Sequence, residues 1–202
     1  YKRIADQLDP SIPLYNVVGN HDVGRTQPTP EGLANYRKYF GADYYTFRSG
    51  NIYGIVLNSS LFYDPSLVPE EAAKQDVWLR STLKKASKIK NVNIVVFQHI
   101  SWFLKDPNEK NGYFNIPLER RKTYLDLFHQ YGVKYIFAGH LHRNSLAHDR
   151  GLEMVTTGPV GKPLGKDPSG FRIVKVKDNM ITHKYFSLDS LSGIIKLDDS
   201  SL

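Results

Sequence analysis

The chain of 202 residues contains no cysteine at all and only two methionines and two tryptophans. Without thiols there is no disulfide framework, no zinc–thiolate site and no thiol nucleophile, although this does not fix the compartment. No apolar run approaches the roughly 18 residues of a membrane helix, and no charged-then-apolar leader pattern is visible. The compartment stays open, with the cytoplasm slightly favoured. Internal repeats, low-complexity segments and splitting linkers are also missing, so residues 1–202 read as one domain, long enough to bury a core.

What is present in excess is positive charge. Lysine and arginine number 27 against 20 acidic residues, a net +7 that suits an anionic partner. The cations are dispersed, however, with only short clusters such as Lys84-Lys85 and Arg120-Arg121-Lys122, each expected on a helix surface. That spread fits solvated faces and disfavours a nucleic-acid groove. A phosphorylated substrate, including a phosphoprotein, is the partner class expected; a membrane is not.

Three short apolar strands are expected to run into polar chemistry at their C-terminal ends. "LYNVV" leads into Gly19-Asn20-His21-Asp22, "NIVVFQ" (93–98) into His99, and "KYIFA" (134–138) into Gly139-His140-Leu141-His142. Their continuous apolar content suits strands buried on both faces. Helical spacing appears over 70–88, with Ala72, Val77 or Trp78, Leu79, Leu83 and Ala86 on the inner side. Two further helices are expected, over 117–132 ending at Gly132 and, shorter, over 31–40. Two hairpins are expected, 44–58 turning at Ser49-Gly50-Asn51 and 171–186 turning at Asp178-Asn179. The sum is an α/β architecture, mixed sheets covered by helices.

Four of the seven histidines stand at the strand ends. Ligands of open α/β sheets bind beyond the carboxyl ends of the strands, so these loops can converge on one crevice. Imidazole, carboxylate and amide oxygen together suit Mn, Fe, Zn, Ni or Co. In "GHLH" the two rings lie two residues apart, on one side of an extended segment, able to grip two adjacent metals or one metal twice. Each motif has a bland alternative. His99 alone fits a surface or hydrogen-bonded histidine, "GHLH" fits a turn with one buried histidine, and Asn20 and Asp22 are ordinary turn formers. His129 and His183 read as structural, and His148 stays open as a supporting or substrate-facing group.

The ordered set Gly-Asn-His-Asp (19–22), Phe-Gln-His (97–99) and Gly-His-Leu-His (139–142) resembles the calcineurin-like metallophosphoesterase family. "QDVWL" (75–79) resembles its Gln-x-x-Trp-Leu helix. "VVFQHISWFL", "AGHLHRN", "PVGKPLGKDPSGFRIVKV" and "HKYFSLDSL" are similar to a narrower group, the calcineurin-like phosphoesterase-domain-containing phosphatases, some of which act on phosphoserine and phosphothreonine in proteins. The resemblance implies a four-layer α/β/β/α sandwich and a binuclear centre of two divalent metal ions (Mn, Fe, Zn or similar). It implies that Asn20, His99 and His140 hold one metal and His142 the other. It makes His21 the acid that protonates the leaving alkoxide, with Asp22 holding its ring, and a metal-bound hydroxide the nucleophile. Arg143 and Asn144 are candidates for phosphate or substrate contact.

The family's earlier Asp-x-His and Gly-Asp blocks, which supply two aspartates and a histidine, are not found in the chain. "YKRIADQLDPSIPLYN" resembles the helix that comes after Gly-Asp. The expectation is a domain lacking its first strand–helix units, weak or inactive as a phosphatase on its own, and needing the missing segment or self-association to cover its sheet. Alternative readings are a phosphodiesterase or nuclease with the same centre, or a non-catalytic fragment that binds phosphate or protein.

Overall fold

A computed structural model of the chain describes residues 2–25 and 27–191. Its helices are α1 (Lys2–Ala5), α2 (Asn20–Val23), α3 (Pro30–Phe40), α4 (Ser60–Tyr63), α5 (Pro69–Ala86) and α6 (Leu118–Gln130). Its strands are β1 (Tyr45–Ser49), β2 (Ile52–Val56), β3 (Asn93–Phe97), β4 (Tyr135–Ala138), β5 (Ser145–Asp149), β6 (Leu152–Thr156), β7 (Gly170–Lys177) and β8 (Met180–Ser187). A six-stranded sheet runs in the order β1-β2-β3-β4-β6-β5, and β7-β8 form a separate antiparallel hairpin. Strands β2, β3, β4 and β6 are parallel; β1 and β5 are antiparallel edges.

The parallel strands explain their own apolar runs, because both of their faces are covered. Ile55, Val96, Ile136 and Met154 face one side, against Leu79, Leu83 and Ala86 of α5 and Leu125 and Phe128 of α6. Their neighbours Val95, Phe137 and Val155 face the other side, against Ile181 of β8 and Val174 and Val176 of β7. The described residues thus form three layers, helices, sheet and hairpin, within the mixed α/β class expected.

Helix α5 starts at Pro69 with Glu70 and Glu71 in its first turn and ends on Lys84 and Lys85, charges that complement the helix dipole. Its buried stripe is Gln75, Leu79, Thr82, Leu83 and Ala86; Val77 points outward at 69% exposure, so of the two candidates Trp78 is the inward one, packed on Tyr44. Both expected hairpins form, turning at Gly50-Asn51 and Asp178-Asn179.

Three expectations fail. "LYNVV" forms no strand: among the described residues, 13–19 belong to none of the sheets, and Leu14, Tyr15 and Val17 are substantially exposed. Tyr45 Oη donates to Asn16 O and Tyr15 stacks on Phe47, so side chains hold the segment where no backbone ladder reaches it. The helix seen in residues 1–16 shrinks to the four residues of α1, because Pro10 and Pro13 prevent its continuation. Arg121, assigned to a helix surface, is fully buried.

Candidate active site

The carboxyl ends of β3 and β4 lie side by side, with Phe97 opposite Phe137 and the ladder prolonged by Gln98 N–H to Phe137 O and Gly139 N–H to His99 O. That register brings His99 level with the loop carrying His140 and His142. An open crevice of about 290 Å³ results, lined by Asn20, His21, His99, Tyr113, Phe114, His140, His142, Lys162 and Leu164. The site therefore sits where an open α/β sheet binds its ligands.

The "GHLH" segment is not extended. His140 (φ 65°) and His142 (φ 56°) both occupy the left-handed region, and Leu141 N–H closes onto Gly139 O at 2.7 Å in a γ-turn around His140. Two histidines in that region cost of order 1 kcal/mol or more each, a strain that persists only where surroundings enforce it. The surroundings are two backbone carbonyls. His140 Nε2 lies 2.9 Å from Tyr113 O, and His142 Nδ1 lies 2.7 Å from Lys162 O. Only an N–H can bond a carbonyl, so each contact fixes the tautomer and leaves the lone pair on His140 Nδ1 and on His142 Nε2.

Asn20 opens α2, whose start is set by Gly19. Asn20 is buried, its Nδ2 directed at Tyr113 Oη (3.4 Å) and its Oδ1 at His99 Nε2 (3.0 Å). Asp22 Oδ2 accepts from Gly19 N–H at 2.8 Å, closing the first turn instead of aiming the neighbouring ring. Adjacent residues of a helix do not face each other, which is why Asp22 and His21 diverge. His21 is exposed and reaches the crevice.

The donor set fits a cation. His99 Nε2 meets two lone pairs, Asn20 Oδ1 at 3.0 Å and His140 Nδ1 at 3.2 Å, and one ring proton can satisfy only one of them. Ligand atoms about 2.0–2.2 Å from one metal ion stand roughly 3 Å apart, the spacing seen here. Burial pushes the His99 pKa down to about 3, with His140, His142 and His21 adding to the effect, and burial lowers His140 as well. Both rings are therefore neutral at pH 7 and able to act as ligands. Among the described residues no three His, Asp or Glu side chains form a metal-binding group, so the third donor near this pair is the amide of Asn20.

Arg143 is exposed beside the pair, its side chain lying against Gly165. Asn144 is placed differently from the expectation. Its backbone N–H and Nδ2 both bond Asp167 Oδ2, and its Oδ1 accepts from Gly158 N–H and Arg172 Nη2, so its polar groups are committed to the framework. His129 pairs with Asp149, His183 with Glu153 and Arg172, and His148 stands near Glu153 on β5, outside the crevice lining.

Sequence reasoning missed Tyr113, Phe114, Lys162 and Leu164. The first two lie in the long connection between β3 and α6, and loops of that length are commonly functional, a signal that was available. Gln75 of the "QDVWL" motif bonds both the N–H and the carbonyl of Asn58 beyond β2, a scaffold role.

Comparisons with known proteins place the chain in a family. The family model described as "Calcineurin-like phosphoesterase" matches residues 1–144. The chain is 42% identical over 194 residues to the serine/threonine-protein phosphatase CPPED1 of Danio rerio, covering 95% of this chain and 62% of that protein. To the Homo sapiens protein of the same name it is 41% identical over 192 residues, covering 95% and 61%. Purple acid phosphatase 23 of Arabidopsis thaliana matches at 23% over 69% of this chain and 30% of its own. Among solved structures, GAP50, the anchor in the inner membrane complex of Plasmodium, superposes with a TM-score of 0.56 at 19% identity, covering 72% of this chain and 50% of that one, a likeness of fold alone. The chain spans about three-fifths of the length of the CPPED1 relatives. With its motifs in order, its strand ends in register and its neutral histidines gathered, the chain belongs to the calcineurin-like phosphoesterase family.

Proposed function

We propose metal-dependent hydrolysis of phosphate monoesters, with phosphoserine and phosphothreonine of proteins as the substrate class. The observation that carries it is the gathering of Asn20 Oδ1, His99 Nε2 and His140 Nδ1 at the mouth of an open crevice, with His99 Nε2 within 3.2 Å of both the others. These three would hold one divalent metal ion, and the lone pair of His142 Nε2 would serve a second; Mn, Fe and Zn all suit the donor types. Such ions supply charge neutralisation for the phosphate oxygens and a nucleophile at neutral pH. The chain itself orients the phosphate through Arg143 and the crevice walls, and donates a proton to the leaving oxygen from His21. The substrate class is taken from the names of the CPPED1 relatives, of whose length the chain spans about three-fifths.

The test is turnover of an aryl phosphate and of phosphoserine peptides with Mn²⁺, using this chain and one extended by an added N-terminal segment that carries the Asp-x-His and Gly-Asp blocks. Activity should appear in the extended chain, exceed that toward a bis-aryl phosphate, and be weak or missing in the shorter one. Equal activity in both would refute the expectation that carboxylates outside this chain complete the centre.

A further inference from the structure

His142 is held by a carbonyl from a segment that has no ladder of its own. Residues 157–169, between β6 and β7, contain Gly158, Gly161 and Gly165 with Pro159, Pro163 and Pro168. An irregular stretch of that composition keeps its carbonyl at Lys162 in place only if it is tethered. Backbone bonds from Thr157 N–H to Ala138 O and from Gly170 N–H to Pro159 O, and Tyr185 Oη on Pro168 O, hold its margins, while the side-chain ties that link its two ends run through two residues. Asn144 takes Gly158 N–H on its Oδ1 (3.2 Å) and gives its N–H and Nδ2 to Asp167 Oδ2 (2.5 and 3.2 Å), fastening both ends of the segment. Arg172, on β7, bonds Thr157 Oγ1 through Nε (3.1 Å) and Asn144 Oδ1 through Nη2 (2.9 Å). Its Nη1 bonds His183 Nδ1 (2.9 Å), and His183 Nε2 in turn bonds Glu153 of β6. Between the tethers, Lys162 O meets His142 Nδ1 and Leu164 N–H bonds His142 O at 2.8 Å.

We infer that Asn144, Asp167 and Arg172 are positioning residues that fix the ring of His142, holding its proton on Nδ1 and its lone pair on Nε2 toward the crevice. The relay links the hairpin layer to the site, and it explains why Asn144, next to the histidine pair, faces inward and not toward substrate. What His142 does with that lone pair rests on the proposed phosphatase reading; the relay does not. Partners that orient a ligating histidine in this way are typically worth about 10–100-fold in metal affinity.

The test is nitrogen-15 NMR of the histidine side chains in the metal-free chain, for the unsubstituted protein and for Asp167→Ala, Arg172→Met and, as a control in the same segment, the exposed Lys166→Ala. The unsubstituted chain and Lys166→Ala should show His142 protonated on Nδ1. Asp167→Ala and Arg172→Met should show a mixture of tautomers, and Mn²⁺ titration should show weaker binding by about 10–100-fold. Arg172 is partly buried, so if its variant does not fold, Asp167→Ala decides alone. A folded Asp167→Ala chain with His142 still protonated on Nδ1, or a Lys166→Ala chain perturbed equally, would overturn the inference. The tautomer needs neither metal nor substrate to be read, so a failed phosphatase reading would leave this result standing.

Discussion

Replacing Arg121 with methionine isolates the part of the scaffold that carries Tyr113. Arg121 is 0% exposed, and its guanidinium donates to backbone carbonyls, those of Ile116 (3.2 and 2.8 Å), Pro107 (2.9 Å) and Glu109 (2.8 Å). Burial pulls its pKa below the ordinary arginine value, with Glu109 and Asp106 opposing. Methionine fills much of the space and donates nothing, leaving three carbonyls without that partner. At about 1–3 kcal/mol per orphaned buried acceptor the loss is several kcal/mol, offset by the desolvation of the cation that no longer occurs. A net loss of about 3–4 kcal/mol is expected, or roughly 10 °C in Tm for a chain of this size. The second readout is local. The stretch from 105 to 117 should exchange its amide hydrogens faster, because Arg121 and Glu109 are its main internal ties. Arg121→Lys should recover less than half of the loss, since one ammonium cannot span three carbonyls. Thermal melts and hydrogen exchange decide the matter. A Tm within about 3 °C of the parent for Arg121→Met, with the stretch still protected, would show that the carbonyls find other partners.

The pH dependence comes from His99, whose folded pKa of about 3 lies below the ordinary 6.5. The unfolded state binds the extra proton between those values, so the metal-free chain should be fully stabilised by this group above pH 6.5 and lose about 2 kcal/mol between pH 7 and pH 5. His99→Gln, melted at both pH values in chelator, should show a slope reduced by that amount; an unchanged slope refutes it. His21→Ala in the extended, Mn²⁺-loaded chain should lower kcat about 10²–10⁴-fold on phosphoserine peptides and far less on nitrophenyl phosphate, whose leaving group needs no acid; equal losses would deny His21 that role. Asp22→Ala should change kcat less than about threefold while costing about 1 kcal/mol in melting experiments, because it removes the carboxylate that accepts from Gly19 N–H; a hundredfold kcat loss would return it to orienting His21. Gly32→Ala should cost about 1–3 kcal/mol, since a Cβ there would lie 2.3 Å from the carbonyl oxygen of Val23; a neutral melt would show that α2 and α3 separate freely.

The strand-end histidines were legible in the sequence because their signal is local: an apolar run ending in His99 or in Gly139-His140 announces both the strand and its exit. "LYNVV" carried the same signal and still joined no sheet. A strand is a pairing, and apolar content reports only the readiness to pair, so residues 13–19 lie outside the described sheets with side-chain ties to Tyr45 and Phe47. The roles of Asp22 and Asn144 were illegible for a related reason. Sequence gives the donor and acceptor types, but only the backbone decides whether a carboxylate meets the next ring or closes its own helical turn. His140 and His142 show the same limit more sharply. Their spacing suggested an extended segment, yet each ring is fixed by a carbonyl distant in sequence, at Tyr113 and at Lys162. Those carbonyls belong to any residue type, so no motif can mark them. They set which nitrogen holds the lone pair, and so whether two histidines side by side can serve as ligands at all. In this family member the motif supplies the imidazoles, while two irregular loops, tied down by Arg121 and by Arg172, decide how the rings are presented.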